Sequence, residues 1–216
     1  MEEERDLRKA QSWHDEKRMK ETLQAINQRN MTGIYAKDNR TAVKAILKRI
    51  PQGATVSHGG SFTLKELGII DIIAKGEYRY LRKDVGSLYS DEDRLRELSS
   101  DIYLTSVNAI TMAGELIAMD GFGNRAACLL FGPKKLLIVA GKNKIVDTLE
   151  DGIKRIKEYV APIHAKRRNW NLPCTKVGKC VDCRRQERIC NKLAILQYEQ
   201  TKTRTTVILV NEDLGI

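Results

Sequence analysis

No stretch of this chain approaches the roughly 18 consecutive apolar residues of a membrane-spanning helix, which excludes the simplest class of integral membrane protein. The N-terminus, Met1 to Lys20, is dense in Glu, Arg and Lys and lacks an apolar h-region, so it does not read as a secretory signal. The expected location is therefore the cytoplasm. There is no internal repeat and no low-complexity linker, so the 216 residues read as one domain of ordinary size with modest extensions. Histidine is scarce, at three residues, and aromatic side chains make up only 6% of the sequence. No motif that reads nucleic-acid bases is visible, which disfavours a sequence-specific nucleic-acid module.

What is present is unevenly placed. A hydrophobic content of 42% suffices for a sizeable core. The formal charge is +10, and between Asp151 and Thr206 fourteen cations face five anions, an excess of nine. A local field of this size suits nucleic acid or a bound anionic centre. Four of the five cysteines lie inside that basic region. In a reducing compartment, clustered cysteines bind metal or do redox chemistry more often than they form disulfides. The fifth, Cys128, stands alone in an apolar run and reads as a buried core thiol.

The periodicity predicts an α/β fold: a mostly parallel sheet flanked by helices, with an N-terminal helix and a C-terminal Cys-rich loop. The chain divides into a helical arm at 1–30, an α/β domain at 31–170, a cysteine-rich segment at 171–192 and a returning strand at 193–216. In the arm, Met19, Leu23 and Ile26 form a thin apolar stripe. Gly33 to Lys37 reads as an extended connector, and Thr41–Ile50 as a helix stopped by Pro51. Strands are expected at Ala54–Ser57, Tyr78–Arg82, Asp101–Val107, Glu115–Met119, Ala126–Phe131, Leu136–Ala140 and Thr205–Val210. Leu136–Ala140 is apolar enough to be central. Helices are expected around Leu64–Ile73 and Asp91–Leu98. A long helix is expected from about Lys144, with Ile145, Leu149, Ile153, Ile156, Val160 and Ile163 as its stripe, loosened at Pro162.

Cys174, Cys180, Cys183 and Cys190 follow the pattern C-x5-C-x2-C-x6-C. The central pair places two thiolates on one turn, and the outer two can close the shell from flanking loops. Zinc takes four thiolates but usually uses two CxxC knuckles, and only one is present. Iron–sulfur clusters accept more varied spacings, so a four-iron four-sulfur cluster is favoured over zinc. The surrounding Arg and Lys residues are expected to lower the thiol pKa values and favour ligation.

Ser57, His58, Gly59, Gly60 and Ser61 lie between a strand and a helix. Glycines there permit close backbone approach, and the turn can hold an anion or serve simply as a tight cap. His58 is a candidate acid or base. Further on, Asn108, Glu115, Asp120, Asn124 and Arg125 put polar groups near strand ends, where open α/β sheets bind ligands. Glu115 beside Arg125 suggests an ion pair, Arg125 a fork for a carboxylate, and Asp120-Gly121 a hairpin turn.

These same pieces, with Thr105-Ser106-Val107-Asn108-Ala109, Gly114-Glu115-Leu116, Gly123-Asn124-Arg125, Phe131-Gly132-Pro133-Lys134-Lys135 and Lys144-Ile145-Val146, resemble the lactate-utilisation (LUD) domain over roughly residues 15–165. The resemblance implies a fold similar to the sugar-phosphate isomerase and CoA-transferase superfamily. It also implies association with an iron–sulfur complex that oxidises lactate to pyruvate. This chain, with one irregular cysteine set, looks like a small stand-alone member. Three functions follow as expectations. The first is a redox protein with a partner protein and a small carboxylate or phosphate ligand, using His58 and Arg125. The second is a zinc-stabilised module contacting nucleic-acid phosphates, with Trp170 and Tyr198 stacking on bases. The third is an isomerase or transferase using Glu115. A homodimer is compatible with all three.

Overall fold

The computed structural model describes residues 2–81 and 90–216. Met1 and Arg82, each at the end of an expected element, lie outside them. Helix α1 (Glu2–Gln28) is solvated along its first half, and one face of its second half docks. Met19, Leu23 and Ile26, spaced four and three apart, are at most 8% exposed. Strand β1 (Thr32–Ala36) and helix α2 (Asn39–Leu47) follow, the helix capped by the Asp38 carboxylate, which accepts from the Thr41 amide at 2.7 Å. Strand β2 (Thr55–His58) leads into α3 (Phe62–Glu66) and α4 (Ile69–Lys75), divided at Gly68 where one helix is expected. Next come β3 (Arg79–Tyr80), α5 (Asp91–Leu98), β4 (Ile102–Thr105) and β5 (Ala109–Thr111). Strand β6 (Leu116–Asp120), α6 (Asn124–Leu130) and β7 (Lys135–Gly141) precede a 3-10 turn (Lys142–Lys144) and β8 (Ile145–Val146). Helix α7 (Leu149–Arg155), a π-helical turn (Ile156–Val160), α8 (Ala161–Arg167) and α9 (Pro173–Val177) lead to the cysteine segment, then β9 (Lys192–Leu196) and β10 (Thr205–Val210).

Among the described residues the strands form two sheets. The larger is wholly parallel, ordered β1-β10-β7-β4-β2-β3, and the smaller is mixed, ordered β8-β5-β6-β9. Alternation along the central strands separates two cores. Leu136, Ile138 and Ala140 of β7, with Val207 and Leu209 of β10, face α1, α6 and the smaller sheet. Leu137, Val139, Ile208 and Val210 face α2, α3 and α4. A third cluster, Ala109, Ile117 and Ile156, seals the smaller sheet against the helices after β8.

Strand β7 is central, and β10 returns beside it with the expected bounds, Thr205–Val210. Other expectations are corrected. Gly33 to Ala36, expected with Lys37 as an extended connector, belongs to β1, an edge of the parallel sheet. Asn108 to Thr111 is not a strand end: β5 begins a second sheet. Ala126–Phe131 is helical, because Ala126, Cys128 and Leu129 bury one face of a helix and Phe131 is 80% exposed beyond its end. A short apolar run does not by its pattern decide between strand and helix. Asp120-Gly121 therefore joins a strand to a helix and is not a hairpin turn. The long helix starts at Leu149, with Ile145 in β8. Pro162 is met by a widened turn in which the Ala161 amide donates to the Ile156 carbonyl, five residues back. That register relieves the clash a proline ring makes with the carbonyl four residues earlier.

The docking of α1 sets an expected contrast. Ile26→Ala removes a fully buried side chain and should cost about 2–5 kcal/mol in urea unfolding. Leu7→Ala, on the solvated half, should change stability by less than about 0.5 kcal/mol.

Candidate functional site

All six strands of the larger sheet run parallel, so their carboxyl ends open on one side of the molecule. Four segments meet there: His58 to Thr63 after β2, Thr105 to Asn108 after β4, Gly141 to Lys144 after β7, and Asn211 to Ile216 after β10. His58 is 5% exposed, and its ring stacks on Tyr80 at 5.8 Å between centroids. Its Nδ1 lies 2.8 Å from the Gly59 carbonyl, which can only accept, so Nδ1 carries the proton. Its Nε2 lies 2.7 Å from the Tyr80 hydroxyl. A Cβ on Gly59 would sit 2.7 Å from the Tyr103 hydroxyl, so a bare backbone is needed there, whereas Gly60 faces open space. Ser61 caps α3 through the Leu64 amide at 3.2 Å. Ser57 turns back into the fold, donating to Ser100 at 2.9 Å.

Arg125 organises the neighbouring polar residues. Its Nε donates to Asp120 Oδ1 at 2.8 Å, its Nη1 to the Ser106 carbonyl at 3.2 Å, and its Nη2 to Asn108 Oδ1 and the Met119 carbonyl at 2.8 Å each. The other Asp120 oxygen accepts the Ala126 amide at 2.7 Å, anchoring the start of α6. Asn124 lies at the rim and donates to Glu97 at 3.4 Å. The expected Glu115–Arg125 pair does not form, because the two sit at opposite ends of β6. Glu115 instead accepts from Thr111 at 3.0 Å and pairs with Arg29 at 3.5 Å, tying α1 to the β5–β6 turn. The Arg125 fork is thus held by protein acceptors in the loop between β4 and β5 and on β6.

Lys144, missed as a site residue because its segment was read as the start of a helix, joins this network from below. Only 4% exposed, it donates to Thr63 Oγ1 at 2.8 Å and to Ser106 Oγ at 2.9 Å. Burial first, then the charges of Arg155 and Arg125, bring its pKa down to about 7, against an opposing pull from Glu66. Arg155 donates to the Asn108 carbonyl at 2.8 Å and the Asn143 carbonyl at 3.1 Å. On α8, burial and then Arg167, Arg168 and Arg125 hold His164 down at about 4. Two signals pointed to Lys144: its place just after the central apolar strand, and the Lys144-Ile145-Val146 run among the pieces that resemble the LUD domain. A separate hollow of about 550 Å³ beside α1, lined by Lys20, Leu23, Gln24, Asn27 and Gln28, gathers no comparable chemistry.

The four clustered cysteines are half-buried, Cys174 in α9 and Cys180, Cys183 and Cys190 in the loop between α9 and β9. Arg188 clamps this loop, its Nε donating to the Cys190 carbonyl at 3.0 Å, its Nη1 to the Cys183 carbonyl at 2.9 Å and its Nη2 to Asp182 at 2.9 Å. Asp182, in the left-handed region at φ 44°, turns its amide toward Cys180 Sγ at 3.4 Å. Among the described residues no three His, Cys, Asp or Glu side chains stand close enough to hold a metal together. Cys174 is nevertheless within the electrostatic reach of Cys183, Cys190 and Cys180. Its pKa is raised by burial and then by those three, whereas the cationic segment was expected to lower it. Cys128 is buried as expected, and burial, then Glu97, pushes its thiol up to about 12.

The Arg125–Asp120 pair is buried, with side-chain exposures of 14% and 9%. Asp120→Ala strands the guanidinium in a dry site and should cost about 3–5 kcal/mol in urea unfolding.

Comparison with known proteins completes the picture. No curated protein matches the chain. Among solved structures it is similar to a DUF162-family protein from Deinococcus radiodurans, at 14% identity and a TM-score of 0.50 over 92% of this chain and 98% of that one. At such identity the likeness speaks for the fold alone. The family model of the LUD domain matches residues 19–210, past the cysteine segment and through the last strand, well beyond the span its motifs suggest. With most of its length inside that match, the chain belongs to the LUD-domain family.

Proposed function

We propose that this LUD-domain chain is a redox-associated protein in which Cys174, Cys180, Cys183 and Cys190 hold a four-iron four-sulfur cluster serving the oxidation of a small carboxylate such as lactate. The observation that carries the reading is the shared field of the four thiols. Cys174 is held protonated first by burial and then by the fields of Cys183, Cys190 and Cys180, and a bound cationic centre would relieve the mutual repulsion of the four sulfurs. Two further features fit. The Asp182 amide is aimed at the Cys180 sulfur at 3.4 Å, and hydrogen bonds to cysteine sulfurs are a common feature around iron–sulfur clusters. Arg188 fixes the carbonyls of two candidate ligands, supporting the loop from outside the thiol set. Binding requires the side chains to close in on one another.

When bound, the cluster supplies a one-electron relay to a partner protein. This chain's residues would position it: Arg188 by holding the loop, and Lys176, Lys179, Arg184 and Arg185 by surrounding a net negative centre with cations. Ligation must strip the proton from Cys174, whose pKa is raised. Metal uptake should therefore weaken as pH falls.

Full-length protein purified without oxygen is expected to contain iron and acid-labile sulfide in equal amounts and to absorb broadly in the visible. Cys180→Ser and Cys183→Ser should lose both, while Cys128→Ser keeps them. Arg188→Met should weaken metal retention by about 10–100-fold. A colourless protein carrying stoichiometric zinc would sink the redox reading and leave the zinc-stabilised module in its place.

A further inference from the structure

Among the described residues Lys144 is the one buried lysine, and no carboxylate there stands within ion-pair distance of its nitrogen. Its nitrogen is held by two hydroxyls, Thr63 and Ser106. The charged groups facing it are Arg155 and Arg125, with Glu66 as the opposing acid. Desolvation and adjacent cations are the two means by which a lysine is kept as a free, nucleophilic amine. Such an amine attacks a carbonyl carbon.

The backbone of Gly215 lies directly over this amine. A Cβ there would sit 3.2 Å from the Lys144 nitrogen and 2.4 Å from Thr63 Oγ1, and the residue is in the left-handed region at φ 68°. The segment is secured by few bonds: the Leu214 amide to Asn143 at 3.1 Å and the Gly215 amide to Glu66 at 2.6 Å. Arg155 Nη1 approaches the Ile216 main-chain oxygen at 3.5 Å. Leu214 is anchored in the core at 3% exposure, so access to the amine requires a displacement of Gly215 and Ile216 only. The amine lies beside one residue of this cover and the guanidinium faces an oxygen of the next. Consecutive Cα atoms are about 3.8 Å apart. A ligand replacing the cover would therefore place an oxygen anion close to the atom that the amine attacks.

We propose that the strand-end site covered by Gly215 and Ile216 binds a small 2-oxo carboxylate once that cover is displaced, with Lys144 as the nucleophile that captures its carbonyl and Arg155 as the carboxylate anchor. The nitrogen lone pair forms a bond to the carbonyl carbon. Its two protons pass to the carbonyl oxygen through the Thr63 and Ser106 hydroxyls, and that oxygen leaves as water. The product is a neutral imine on Lys144, and no oxidant or reductant is consumed. This assignment rests on the strand ends, independently of the cysteine segment.

Pyruvate is the probe, added to the full-length protein with borohydride to fix any imine and followed by peptide mass mapping. One reduced adduct on the peptide carrying Lys144 is expected, absent in Lys144→Met. Its yield should rise with pH to half-maximum near 7, where the buried amine loses its proton, whereas exposed lysines respond only near about 10.4. Acetone, a carbonyl without the carboxylate, should label about tenfold less. Gly215→Ala, which cannot seat its Cβ against Thr63, should label faster than the parent. Adducts spread over exposed lysines, with none enriched at Lys144, overturn the proposal, and mapping the parent protein decides this even if a variant fails to fold. The readout needs no metal, so its failure and that of the cluster assignment are told apart.

Discussion

Arg125 is the tie on which both sheets depend. A guanidinium has five N–H donors and no acceptor, and once buried each donor must find an oxygen. Arg125 finds them on the loop after β4, at the head of β5 and along the end of β6. Holding them together requires the smaller sheet to pack at the carboxyl end of the larger one. The carboxylate of Asp120 balances the charge and also receives the first buried amide of α6. Ser106, fixed by its carbonyl to Arg125, then presents its hydroxyl to Lys144. The scaffold and the reactive amine thus share one network.

Much of the parallel sheet was legible because its strands are buried on both faces and read as continuous apolar runs. Leu136–Ala140 and Thr205–Val210 are the clearest cases. The second sheet was not legible. Its strands are short, and β5 and β8 are three and two residues long, too brief for any period to show. The run after Asn124 misled for a related reason: Ala, Cys and Leu fill a helix face or a strand equally well, and only the Asp120 carboxylate at its start decides. Individual candidate residues were found more readily than their roles. Arg125 and Asp120 stood out by residue type, yet their partners are set by tertiary packing that spacing does not encode. Lys144 was overlooked because lysine is ordinarily exposed, and burial cannot be read from a Gly-Lys-Asn-Lys string.

The excess of positive charge in the C-terminal third does not all gather around the cysteine segment. In the folded chain part of it turns inward. Arg155 reaches the Asn108 carbonyl and the C-terminal segment, while Arg167 lies 4.9 Å from the Phe62 ring, near the start of α3. The long helical segment after β8 therefore carries cations to the open end of the parallel sheet as well as toward the sulfurs. Two basic environments arise from one stretch of sequence.

One short connection gives these environments a mechanical relation. Cys190 is followed by Asn191, whose amide donates to the Asp120 main-chain oxygen at 2.9 Å, and then by β9, which zips along β6 from Lys192 to Leu196. The sulfur-bearing loop thus runs directly into that zipper at its first stitch, beside the carboxylate that neutralises Arg125. The loop is sewn into the margin of the smaller sheet and is no loose appendage.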